Sequence, residues 1–240
     1  TAVLLAPFLT DPYTLADAAS LRAGNEHLAR LVEGHTDRLV GFAVVNPLHS
    51  EAPDDLEHAI TDLGLRGLKM VPTGWYPYDD CAHRVYERAA RLDIPILFHS
   101  GIFIDGRSGR FCRPTFYEAL RDHPGLRVTL AHLGWPWCDE AVAVGLIDLI
   151  NGVPPADCCF RFDISFGPPP VYRQEVLHKA LEVLGPGLLQ FGSDRFLPCS
   201  GAHIRTAVDE VFDLLQALGL DESSQAEIMH QTAAAWLKLP

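Results

Sequence analysis

The sequence predicts an α/β fold, a parallel (β/α)8 barrel that lacks its first strand within this chain. Three observations predict it. Short apolar runs alternate strictly with longer segments of helical period, and that alternation implies a parallel sheet. The runs are apolar throughout rather than every second residue, the mark of parallel strands covered on both faces. The chain also opens inside such a run, Thr1-Ala2-Val3-Leu4-Leu5, with no polar lead-in. Seven βα units are legible where a closed barrel needs eight, so the expectation is a first strand upstream of residue 1. No composition break divides the chain, and residues 1–240 are expected to form one barrel domain.

The elements follow in order. Strand-type runs are expected at 3–7, 39–45 (LVGFAVV), 67–71 (GLKMV), 94–98 (IPILF), 126–131 (LRVTLA), 159–164 (CFRFDI) and 188–191 (LLQF). Helical segments follow them at 21–33, 54–63, 80–91, 114–121, 139–150, 174–184 and 202–218, and a last helix at 223–237 closes the chain. The fourth unit differs, because a long loop separates its strand from its helix.

Composition narrows the function classes. With 48% hydrophobic and 21% charged residues the chain can bury a large core. Its net charge of -12 lacks the cation excess that drives binding to a phosphate backbone, so no nucleic-acid partner is expected. No apolar stretch reaches the ~18 residues of a membrane helix, and the N-terminus lacks the basic region of a signal peptide. Cys81, Cys112, Cys138, Cys158, Cys159 and Cys199 form no C-x-x-C pair and read as reduced thiols, which favours the cytoplasm.

Three runs end in residues suited to metal binding or proton transfer. His99 follows IPILF, His132 follows LRVTLA, and Asp194 ends LLQFGSD. In a TIM barrel the chemistry sits at the carboxyl ends of the strands. A lone histidine there is ordinarily a satisfied polar residue; three such residues at corresponding ends of separate strands carry more weight. Two imidazoles and a carboxylate suit a divalent metal, zinc above others.

Other candidates have plainer readings beside functional ones. Lys69 in GLKM is either a reactive lysine, forming a Schiff base or a carbamate, or the buried partner of an acid. Asp163 in CFRFDIS either reaches the mouth or is capped by backbone donors. Arg107, Arg110 and Arg113 crowd the loop after His99, as a carboxylate clamp or as ordinary loop residues. Trp75, Tyr76, Tyr78, Trp135, Trp137 and Phe166 follow strand ends and either line a pocket or cover the barrel top. No G-x-G-x-x-G and no G-x-S-x-G is present, so nucleotide and serine-hydrolase chemistry have no support. The remaining histidines read as surface or local contacts.

The segments LVGFAVVNP, GLRGLKMVP, IPILFHSG, HPGLRVTLAHLGWP, FRFDIS and LLQFGSDRFLP, in that order, resemble the amidohydrolase superfamily, in the branch that includes aminocarboxymuconate semialdehyde decarboxylase. The resemblance covers nearly the whole chain. It implies a metal-dependent hydrolase that activates water to cleave a C–N or C–O bond of a small, carboxylate-bearing substrate. It makes His99 a metal ligand, Asp194 a ligand or proton-handling base, and His132 an acid/base in a one-metal site or a ligand in a two-metal site. Arg107, Arg110 and Trp135 are expected at the substrate. The family's first strand carries a His-x-His pair, and no His-x-His occurs in this chain. Two alternatives stand beside the hydrolase: a nonoxidative decarboxylase on the same scaffold, and a non-catalytic barrel lacking the metal pair. A homodimer is the default assembly.

Overall fold

The computed structural model describes residues 1–6, 17–165, 167–196 and 198–239. Seven parallel strands form one sheet: β1 (Ala2–Leu5), β2 (Leu39–Val44), β3 (Gly67–Met70), β4 (Ile96–Phe98), β5 (Val128–Leu130), β6 (Phe160–Asp163) and β7 (Leu189–Gln190). They pair in sequence order, so every connection is a crossover between neighbours, and β1 and β7 lie at the two edges. The crossovers are α1 (Ala18–Val32), α2 (Ala52–Thr61), α3 (Asp80–Arg91), a 3-10 segment Pro114–Asp122, α4 (Cys138–Ile150) and α5 (Pro170–Leu184). After β7 come α6 (Gly201–Ala217), α7 (Glu222–Ala226) and α8 (Thr232–Trp236). Every unit expected from the sequence is present among the described residues; Pro7, Phe166 and Leu197 lie outside them.

Alternation sorts each strand's side chains. A Cβ at Gly67 would lie 2.4 Å from the Phe42 ring, and one at Gly41 2.6 Å from Leu65. Phe42 and position 67 therefore face inward, and position 41 faces the helices. Two-residue periodicity then turns Lys69 into the lumen and Leu68 and Met70 toward the helices. Outward Leu68, Ile96, Phe98, Val128, Leu130, Phe160 and Phe162 are almost fully buried under the helices and form the main core. Each such side chain contributes roughly 1.5–3 kcal/mol. The sheet curls, since Gln190 on β7 donates from Nε2 to Thr129 Oγ1 on β5 at 2.7 Å across the inward face.

Two expected helices differ in kind. Residues 114–121 form a 3-10 segment because its buried positions, Pro114, Tyr117 and Leu120, recur every third residue, the period of a three-residue turn. The last helix is broken by a π turn, Glu227–Gln231. There the Ile228 carbonyl accepts the Phe191 N–H at 2.9 Å, which ties the turn to the end of β7. Beyond it, Trp236 and Leu237 pack with Val40 and Phe42 at the amino-terminal end of the strands.

Candidate active site

The carboxyl ends of β4 to β7 are shaped by close backbone contacts. His99 N–H donates to Met70 O at 2.9 Å and extends the β3–β4 pairing by one residue. The chain then turns at Gly101, with φ 98°, where a Cβ would stand 2.1 Å from the Trp135 carbonyl. Only glycine fits both the left-handed conformation and that approach. Ile102 N–H donates to the same Trp135 carbonyl at 2.9 Å, and Ser100 Oγ to Ala131 O at 2.6 Å. The loops after β4 and β5 are thus locked together, which holds His99 beside His132 with ring centroids 5.1 Å apart.

The His99 ring is oriented by Ile102 O, 2.9 Å from Nε2. A carbonyl only accepts, so Nε2 carries the proton. Burial keeps the imidazole well below its ordinary pKa, and the neighbouring His132 and Lys69 push the same way. His99 is neutral near pH 7, with its hydrogen on Nε2. Tyr117 donates its hydroxyl to the His99 carbonyl and fixes the backbone from below.

His132 sits in the left-handed region at φ 62°. Its Nδ1 lies 2.9 Å from Ser165 Oγ. Burial lowers its pKa, while Asp163 and Asp194 pull it back up. Asp163 accepts the Ser165 N–H, and its carboxylate overhangs Gly192, where a Cβ would meet Oδ2 at 2.5 Å. The glycine of the QFGSD run therefore makes room for the carboxylate of the FRFDIS run. Asp194 stands at the lip of the mouth at φ 47°, with open surface. Desolvation of its carboxyl raises its pKa against the attraction of His132, and the like charge of Asp163 raises it further. Asp163, Asp194, His132 and Lys69 feel one another electrostatically and make one cluster.

The other expected residues fall elsewhere. Arg107 and Arg110 are exposed; Arg110 donates from Nε to Arg107 O at 2.9 Å and its guanidinium lies over Phe111. Arg113 is paired with Glu140. The half-buried Trp135 contributes through its carbonyl, as above, and Tyr76 and Tyr78 stack on each other at 5.1 Å. Ser165, Tyr117 and Gly192 were not singled out from the sequence. Ser165 stands two residues beyond Asp163 in the same run, and that proximity was the available signal.

The donor set falls short of a metal site. Among the described residues no group of three or more His, Cys, Asp or Glu side chains is gathered so as to hold one. The carbonyl on Nε2 leaves Nδ1 as the one donor atom His99 could offer. His99 and Asp194 alone do not fit a tight divalent site, which takes about four ligands when structural and three plus water when catalytic.

Comparison with known proteins gives the chain relatives. A family model described as amidohydrolase matches residues 13–239. The gamma-resorcylate decarboxylase of Rhodococcus jostii (strain RHA1) is 25% identical over 91% of this chain and 76% of its own. The crystal structure of 5-carboxyvanillate decarboxylase from Sphingomonas paucimobilis superposes with a TM-score of 0.69 at 20% identity, covering 97% of this chain and 78% of that one. A 5-carboxyvanillate decarboxylase from Novosphingobium aromaticivorans, complexed with manganese and 4-hydroxy-3-methoxy-5-nitrobenzoic acid, gives 0.70 at 16% identity over 96% and 74%.

Proposed function

Because the chain belongs to the amidohydrolase family, we propose that its barrel mouth carries out nonoxidative decarboxylation of a hydroxylated aromatic acid. The hydrolase expected first from the sequence yields to its alternative, since relatives on both the sequence and the structural side are named for loss of CO2. The observation that carries the reading is the gathering of His132, Asp163 and Asp194 at the carboxyl ends of β5, β6 and β7, with Ser165 on the His132 ring, in a chain with such relatives.

The reaction needs a proton and a pair of electrons moved once. Hydroxyl groups on the ring push electron density onto the carbon that bears the carboxylate. Asp194, once protonated, delivers that proton to the carbon. The bond to the carboxylate then breaks, its electron pair returns to the ring, and CO2 leaves: ArCOO⁻ and H⁺ give ArH and CO2. His132, held by Ser165, relays a proton from water to Asp194, accepting at one ring nitrogen as it donates from the other. Neutral His99 forms the wall beside it. The zinc expected from the sequence is assigned no step, because the described residues do not complete a site for it; manganese accompanies one relative. The substrate is a small molecule, and the six free thiols suit a reducing compartment.

The test is turnover of 2,6-dihydroxybenzoate and 5-carboxyvanillate, followed by CO2 release. Asp194→Asn is expected to lower kcat by about 10²-fold or more, the usual worth of a positioned general acid. Opening of a lactone or amide without CO2 release restores the hydrolase instead.

A further inference from the structure

The sequence offered Arg107 and Arg110 for the substrate's anionic group, and both are exposed on the loop after β4. The lumen contains a different cation. Lys69 is 7% exposed and faces inward on β3, one residue before the carbonyl that accepts the His99 N–H. Arg161, the other buried cation among the described residues, serves the opposite end. Its guanidinium donates to the carbonyls of Ala156 and Cys158, just before β6, at 2.8 and 3.1 Å. Lys69 alone of the two is directed toward the acid–histidine cluster.

The geometry points to Lys69 as the cation that receives the carboxylate of the substrate, seated between His99 and the Asp163–Asp194 pair. An ammonium on a flexible stem serves this role as a point charge. The lumen strengthens the attraction between the two charges relative to water, and that attraction offsets the cost of desolvating the anion. Lys69 has a pKa of about 8, lowered by burial against the pull of Asp163 and Asp194, and so carries its charge at pH 7. The inference rests on the aromatic-acid reading for the identity of the anion, but its test does not depend on turnover.

The test compares 2,6-dihydroxybenzoate with resorcinol, its neutral counterpart, by calorimetry. Wild type and Lys69→Arg are expected to prefer the acid, and Lys69→Met to lose at least tenfold in acid affinity with resorcinol unchanged. Equal acid binding by wild type and Lys69→Met overturns the inference, as does a wild type indifferent to the carboxylate. A second measurement needs no variant. The chain has three lysines, and Lys179 and Lys238 pair with acids on the surface. Acetylation of Lys69, read by mass spectrometry, is expected to slow with the acid and not with resorcinol; no acid-specific protection overturns the assignment. Acid binding through Lys69 without CO2 release would leave the cation in place and remove the decarboxylase reading.

Discussion

Buried neutral histidine makes stability depend on pH at the scale of single residues. His99 has its folded pKa below the ordinary 6.5, so between those two values the unfolded chain binds the proton and the folded chain does not. Stability therefore rises with pH through that window, is full above about 6.5, and is lost as pH falls below it. His132 and His123 are shifted the same way by burial. Asp194, raised, acts in the opposite sense at the acid end. The comparison that isolates His99 is Tm at pH 7.5 and 5.5 for wild type and His99→Gln, since glutamine keeps a donor for Ile102 O but does not titrate. Wild type is expected to lose more Tm on acidification than the variant; equal losses contradict the neutral buried imidazole. At this scale the sequence was informative where a residue ended an apolar run. His99, His132 and Asp194 were legible for that reason, and Lys69 and Asp163 were flagged with their alternatives open. Tyr117 and Ser165 were not, because their roles depend on a hydroxyl reaching across the chain to a backbone carbonyl or a ring nitrogen.

The elements are joined by a few polar or aromatic contacts that periodicity does not reveal. Asn25 on α1 is buried and grips β2 twice, donating to Val44 O and accepting from Val44 N–H, each at 2.9 Å. Asn25→Ala strands both backbone groups and is expected to cost roughly 2–4 kcal/mol in chemical denaturation. A loss below about 1 kcal/mol would mean that water replaces the side chain. At the other end of the barrel Trp236 packs on Phe42, with ring centroids 5.6 Å apart, and its carbonyl accepts from Arg127. Trp236→Ala is expected to cost about 3–5 kcal/mol, the usual loss for a large buried aromatic. An unchanged denaturation midpoint would show that the closing segment adds nothing. The sequence reading put α3 at the residues where it lies and the strands within a few residues. It extended most strands because apolar residues such as Ala131 and Ile164 continue past the ladder into the turns that build the mouth. The helical segment at 114–121 is a 3-10 helix, where a three-residue burial period governs.

For the whole molecule, the parallel order of seven strands was legible from the strict alternation of strand and helix segments, although the strands themselves alternate buried apolar outward residues with polar inward ones such as Lys69, Thr129, Arg161, Asp163 and Gln190. The lumen was not, since inward residues as different as Phe42, Lys69, Thr129, Asp163 and Gln190 share no composition signal. Their grouping depends on the curl that brings β3, β5, β6 and β7 around one interior. Among the described residues no helix is long and apolar enough to cross a membrane. That interior has one end closed by Trp236 and Leu237, and the other carries two carboxyls, two neutral histidines and a lysine. Such a site suits the exchange of a carboxylate for a proton. The most direct test follows carboxyl-labelled 2,6-dihydroxybenzoate incubated with the 240-residue chain. Labelled CO2 and resorcinol formed in equal amounts by wild type, and lost in Asp194→Asn, is the predicted result. No labelled CO2 from wild type, or equal release from Asp194→Asn, would contradict it.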